Sequence, residues 1–119
     1  NKKYAHINDN PYLNEIVKEL QPYLKQWPVY EKSIYSSMRV PEILETAKKA
    51  NHVLIAGVVA ECCVLATMID AIDEGYKVIY LTDCVAGLSK ENEAAVKRMA
   101  KSFSPMHTKV MDSHYYLGE

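Results

Sequence analysis

Apolar residues follow one another from Val53 to Val59 (VLIAGVV), whereas from Val64 to Ile72 they recur at three- and four-residue spacing. The first pattern predicts a strand over His52–Val59 buried on both faces of a parallel sheet, and the second a helix from about Glu61 to Glu74, stopped by Gly75. KVIYLT, Lys77 to Thr82, reads as another buried strand. Ser89 then offers a cap, with Asn92 at the box position where Glu is commoner, for a helix that turns Ala95, Val96, Met99 and Phe103 inward. Met106 to Met111 fits a final strand, and Ser113 to Glu119 a tail.

Upstream, Leu13, Ile16, Val17, Leu20 and Leu24 predict an amphipathic helix from Asn10-Pro11 to about Trp27-Pro28, capped by Asp9 or Asn10. VYEKS, Val29 to Ser33, reads as a short strand. Pro41 opens a helix with Ile43, Leu44 and Ala47 inward, ending about Ala50-Asn51. Strands alternating with helices imply right-handed βαβ units, a parallel sheet and helices on both faces. Such a sheet usually opens with a strand; this pattern opens with a helix.

At 119 residues the chain suits one domain, residues 1–119, with a sizeable core. A formal net charge of −1, with Lys and Arg interleaved among Glu and Asp, leaves no basic stripe for nucleic acid. The sequence has neither an apolar run long enough to span a bilayer nor a signal-peptide pattern at its start, which points to the cytoplasm. Cys62, Cys63 and Cys84 are an odd set with two neighbours adjacent, so a disulfide framework is not expected and a reducing compartment fits. His6, His52, His107 and His114 are isolated and there is no C-x-x-C, so neither a metal site nor a cofactor is expected.

Candidate chemistry gathers where ligands of open α/β sheets bind, at the carboxyl ends of strands. Lys32 ends VYEKS, Cys62-Cys63 lie at the strand-to-helix corner, and Asp83-Cys84 follow KVIYLT. A thiol at such a corner meets free backbone N–H groups and the positive helix end, which favour the thiolate, and a nearby lysine adds to this. Position alone leaves two readings open, a nucleophile or a small buried hydrophobe. Taken alone, Lys32 reads as a solvated strand-end lysine.

Three segments together resemble the isochorismatase-like cysteine hydrolases, a family that includes nicotinamidases, carbamoyl-amide hydrolases and isochorismatases. They are E-K-S-I-Y-S-S-M around Lys32, A-G-V-V-A-E-C-C-V-L-A-T-M-I-D-A around Cys63, and E-G-Y-K-V-I-Y-L-T-D-C-V-A-G after it. The resemblance, from about Asp9 to Met111, implies a Rossmann-like three-layer α/β/α sandwich with a mainly parallel sheet, lacking the family's first strands. It also implies Cys63 as nucleophile, Lys32 as its charge partner, a cis peptide at Val58-Val59, and an oxyanion hole from the backbone N–H groups of Val59 and Cys63. Tyr35 and Met38, after the lysine, are candidates for the substrate pocket. The implied reaction is hydrolysis of a small amide-type C–N bond through a thioester.

The family's general acid/base, an aspartate ending the first strand, has no match here. Asp9 belongs to a later region, Asp83 reads as structural, and Glu61 lies in the turn itself. The expectation is therefore a carboxyl-terminal portion whose missing N-terminal segment would carry that aspartate and the zinc ligands of nicotinamidases. Ala60 stands where Thr is frequent, and Asn92-Glu93 where a histidine often appears; both bear on substrate. The open sheet edge predicts a homo-oligomer or a complementing N-terminal segment. Two rivals remain: a catalytically silent fragment or interaction module, and a redox protein using Cys62 and Cys63.

Overall fold

The computed structural model describes residues 9–10 and 15–119, and the chain divides into two compact units, Asn1–Glu31 and Lys32–Glu119. In the second unit, strands β1 (His52–Val58), β2 (Lys77–Ala86) and β3 (Thr108–Met111) form a parallel sheet in that order. Helices α1 (Pro41–Ala47), α2 (Leu65–Asp73), α3 (Lys90–Ser102) and α4 (Ser113–Leu117) flank it. This is the parallel α/β arrangement that the alternation of elements implies.

Register explains the core. Val53 and Ile55 lie opposite Val78 and Tyr80, which lie opposite Thr108 and Val110. Paired residues of adjacent strands share a face. Against that face the crossover helices place Met68 and Ala71 from α2 and Val96 and Ala100 from α3, all buried in one cluster with Val78 and Tyr80. The Thr108 hydroxyl, on the same face, is satisfied by the Ala100 carbonyl. β2 is the central strand, and Val78 to Leu81 are buried without interruption, as the KVIYLT run implies.

β1 departs from expectation. His52, Leu54, Ala56 and Val58 are exposed, Leu54 at 42% and Val58 at 65%, so the strand is covered on one face rather than two. Among the described residues β1 pairs only with β2, and this edge position removes the neighbours that the apolar run anticipates. At its end the pairing jumps from Ile55–Tyr80 to Gly57–Val85, and Gly57 sits at φ +117°, a backbone region that L side chains rarely adopt. Irregular pairing of this kind bends a strand locally, here just before the cysteine corner.

Element ends mostly follow local chemistry. The Ser89 hydroxyl accepts the Asn92 N–H at 3.0 Å, capping α3 as anticipated. After α2, the Gly75 and Tyr76 N–H groups return to the Ile72 and Ala71 carbonyls, and Gly75 takes φ +92°. That is a glycine-ended helix stop. α1 is shorter than expected, ending at Ala47, with Ala47 buried and Ile43 and Leu44 half-buried. The final strand starts at Thr108 rather than Met106, and the expected tail folds into α4 behind an Asp112 cap.

Two other expectations fail. VYEKS is not a strand; it finds no pairing partner among the described residues, and a strand without a neighbour leaves its backbone groups unpaired. Within Asn1–Glu31 the described part of the expected amphipathic helix contains a 3-10 segment, Lys18–Tyr23, with Pro22 inside it. Proline lacks the N–H that an α-helix needs and clashes with the carbonyl four residues back. Leu20 and Leu24, expected to face inward, are exposed. Pro11 and Leu13 of that helix lie outside the described residues. Among the described residues no helix is long and apolar enough to cross a membrane.

Candidate active site

The cysteine corner is not the first turn of an ordinary α-helix. Residues Ala60–Val64 form a π-turn, in which the Val59 carbonyl accepts the N–H groups of Cys62 at 3.0 Å and of Val64 at 3.2 Å, and α2 continues from Leu65. Turns of this kind are rare and occur often at functional sites. Ala60 and Val64 are buried, which roots the turn in the core, while Cys62 and Cys63 remain half-exposed. The peptide bond between Val58 and Val59, at the entrance to the turn, is cis.

Lys32 reaches this corner from 31 residues upstream. Its Nζ lies 3.5 Å from Cys63 Sγ and donates to the Ile34 carbonyl at 2.9 Å. The segment that follows is pinned to α2. The Ser37 N–H donates to Thr67 Oγ1 at 2.9 Å, Arg39 Nε meets Asp70 Oδ2 at 3.3 Å, and Met38, 3% exposed, inserts into the core. Thr67 and Asp70 stand four and seven residues after Cys63, so one helix face carries the thiol and both anchors. Sequence reasoning missed these anchors; their spacing from Cys63 was the available signal.

Lys32 and Cys63 border a cavity of about 310 Å³ walled largely by apolar groups, among them Met38, Ile43, Val53, Ile55 and Val58, with Ser37 and Thr67 as polar wall members. Met38 is thus in the wall; Tyr35 is 62% exposed and outside it. Val59 follows the cis bond at the cavity's rim residue Val58.

The remaining polar candidates have structural partners. Asp83 accepts the Ser113 N–H at 2.8 Å and the Ser113 hydroxyl at 2.5 Å. These bonds hold its carboxyl below the usual range and tie β2 to the start of α4. Glu61 Oε1 accepts the Leu88 N–H at 3.0 Å and Asn92 Nδ2 at 2.9 Å. Burial opposes its charge, but the hydrogen bonds outweigh burial and its pKa is lowered. Asn92 therefore serves Glu61 rather than closing a capping box. Among the described residues no three His, Cys, Asp or Glu side chains are grouped to hold a metal.

A thiol and an amine meeting at a strand-to-helix corner of a parallel sheet define a cysteine-centred α/β site. The sequence matches the isochorismatase domain over residues 1–113, and the chain belongs to that family. It is 31% identical over 106 residues to isochorismatase family protein 2B of Dictyostelium discoideum, covering 78% of this chain and 49% of that protein. The chain spans about half the length, or somewhat less, of the curated relatives it matches. Among solved structures, a nicotinamidase from Staphylococcus aureus superimposes with a TM-score of 0.64 at 24% identity, covering 91% of this chain and 81% of that one. A pyrazinamidase from Pyrococcus horikoshii, solved with zinc, gives 0.57 at 30% identity over 69% of this chain and 45% of that one.

Proposed function

We propose that the protein is a cysteine hydrolase that cleaves a small amide-type C–N bond, with Cys63 as nucleophile and Lys32 as its charge partner. The approach of Lys32 Nζ to within 3.5 Å of Cys63 Sγ, at the rim of a cavity, carries this reading. An ammonium beside sulfur offsets the negative charge that builds up during attack. The nicotinamidase and pyrazinamidase likenesses support an amide as substrate class.

The reaction runs in two halves. The Cys63 thiolate adds to the carbonyl carbon, and the oxyanion rests on the N–H groups of Val59 and Cys63. The C–N bond breaks as the nitrogen gains a proton, leaving a thioester. Water then attacks, releasing the carboxylate and regenerating the thiolate. The apolar wall favours an uncharged acyl group, with Met38 against it.

Among the described residues no carboxylate is paired with Lys32 or hydrogen-bonded to Cys63. The proton for the leaving nitrogen is therefore assigned to a group from outside these residues, in a second copy or a complementing segment. That observation also favours a second reading, a module that keeps the fold without turnover. Three free thiols suit a reducing compartment, which supports a cytoplasmic setting.

Ammonia release and acyl-enzyme mass, measured with a panel of small neutral amides, separate the readings. The hydrolase gives a Cys63 acyl adduct or ammonia that disappears in Cys63→Ala. Activity that persists in that variant removes Cys63 as nucleophile, and a panel giving neither adduct nor ammonia favours the silent module.

A further inference from the structure

Glu61 is the one acidic residue of the turn that carries Cys63, and no step of the proposed reaction uses it. Its side chain reaches out of the turn to the connection between β2 and α3. Oε1 takes the backbone N–H of Leu88 and the side-chain amide of Asn92, in the first turn of α3. Oε2 is buried and has no hydrogen-bond partner. Gly87 makes the room: a β-carbon there would stand 2.6 Å from Oε2, too close for both to remain in place. Gly87 is not at a positive φ, so that clash, and not backbone conformation, is what an added methyl would meet first.

The geometry points to Glu61 as a positioning residue that sets the orientation of Cys63 toward Lys32 by latching the π-turn onto the β2–α3 connection. A π-turn lacks the regular ladder of an α-helix. Here the Val59 carbonyl holds the turn from within, and Glu61 holds it from the α3 side. Releasing Glu61 loosens the α3 side of a turn that Ala60 and Val64 still root in the core, and the 3.5 Å approach of sulfur to amine is what that loosening spoils. The proposal deepens the reading of Cys63 as nucleophile and rests on it.

Charge and position predict opposite signs. A role through charge alone would make Cys63 faster in both Glu61→Gln and Glu61→Ala, since each removes a negative charge from the turn. The positioning role needs the acceptor oxygen, which Gln retains and Ala lacks.

The test is iodoacetamide alkylation of the full chain at pH 7, with rates at Cys63, Cys62 and Cys84 read by peptide mass mapping and folding checked by circular dichroism. E61Q keeps Cys63 within about twofold of wild type, and E61A slows it about tenfold. G87A, which displaces the carboxylate while leaving it present, slows Cys63 to a similar degree. In the E61A/G87A double variant the clash with the carboxylate is gone and only the tight approach of the added methyl to Glu93, at 3.2 Å from Cγ and 3.3 Å from the backbone N, remains, so it is at most slightly slower than E61A. Rates in folded E61A and G87A equal to wild type overturn the positioning role, as do effects that multiply in the double variant. Should E61A not fold, an unchanged Cys63 rate in G87A is sufficient to reject it. A wild-type Cys63 no faster than Cys62 and Cys84 overturns the nucleophile reading and the latch with it, an outcome distinct from an activated Cys63 that ignores Glu61.

Discussion

Lys32 is an exposed lysine whose ammonium is held by one backbone carbonyl and directed at one sulfur. Fixed in this way, the charge acts on Cys63 without the full entropy cost that a free lysine would pay on meeting it. Replacing it in Lys32→Met should slow Cys63 alkylation about tenfold and leave Cys62 and Cys84 unchanged. Equal slowing at all three would indicate general loosening instead. Both partners were legible in the sequence because each sits in a distinctive short motif. Thr67, Asp70, Glu61 and Gly87 were not, since their work depends on which side chains fold against them. Thr67 illustrates the point: as a lone threonine it reads as helix filler, yet its hydroxyl receives the Ser37 N–H. In Thr67→Val that part-buried donor loses its acceptor, costing about 1–3 kcal/mol in urea denaturation and slowing Cys63 as the Lys32 segment loosens. A variant with unchanged stability and unchanged Cys63 rate would show the tether to be idle.

At the scale of elements, the βαβ repeat was readable wherever local and tertiary signals agree. β2 is central and apolar, α3 has a serine cap, and α2 ends on a glycine, so periodicity, capping and turn chemistry coincide. Ser89→Ala should destabilise the protein by about 1 kcal/mol, seen as a thermal midpoint a few degrees lower. An unshifted midpoint would mean that the cap is replaced by other donors and acceptors. The misreadings arose where an element's state depends on neighbours. Among the described residues VYEKS has strand composition but no strand to pair with, β1 has a doubly buried pattern but pairs only with β2, and the run before Trp27 has helical spacing interrupted by Pro22.

For the molecule, the helices from both crossovers meet on one face of the sheet, and Met68 is fully buried there beside Val78, Tyr80 and Val96. Met68→Ala should cost about 2–5 kcal/mol, measured by denaturant unfolding. Acid should loosen the carboxyl-terminal end. The Asp83 carboxyl is lowered by its Ser113 hydrogen bonds, so its contribution is present above the ordinary carboxylate range and is lost as pH falls through the lower folded value, below about pH 4. Protection of the amides of residues 113–117, relative to unstructured peptide at the same pH, should therefore fall in acid, and Asp83→Asn should show the loss of protection already at neutral pH. What unites the molecule is the meeting of an amine and a thiol 31 residues apart in one face-packed unit. The most direct test of that claim is the alkylation rate of Cys63 relative to Cys62 and Cys84 in the wild-type chain and in Lys32→Met. Cys63 should react at least about tenfold faster than the other two in wild type and lose most of that lead without the lysine. Three thiols reacting alike, or a Cys63 lead that survives the loss of Lys32, would contradict it.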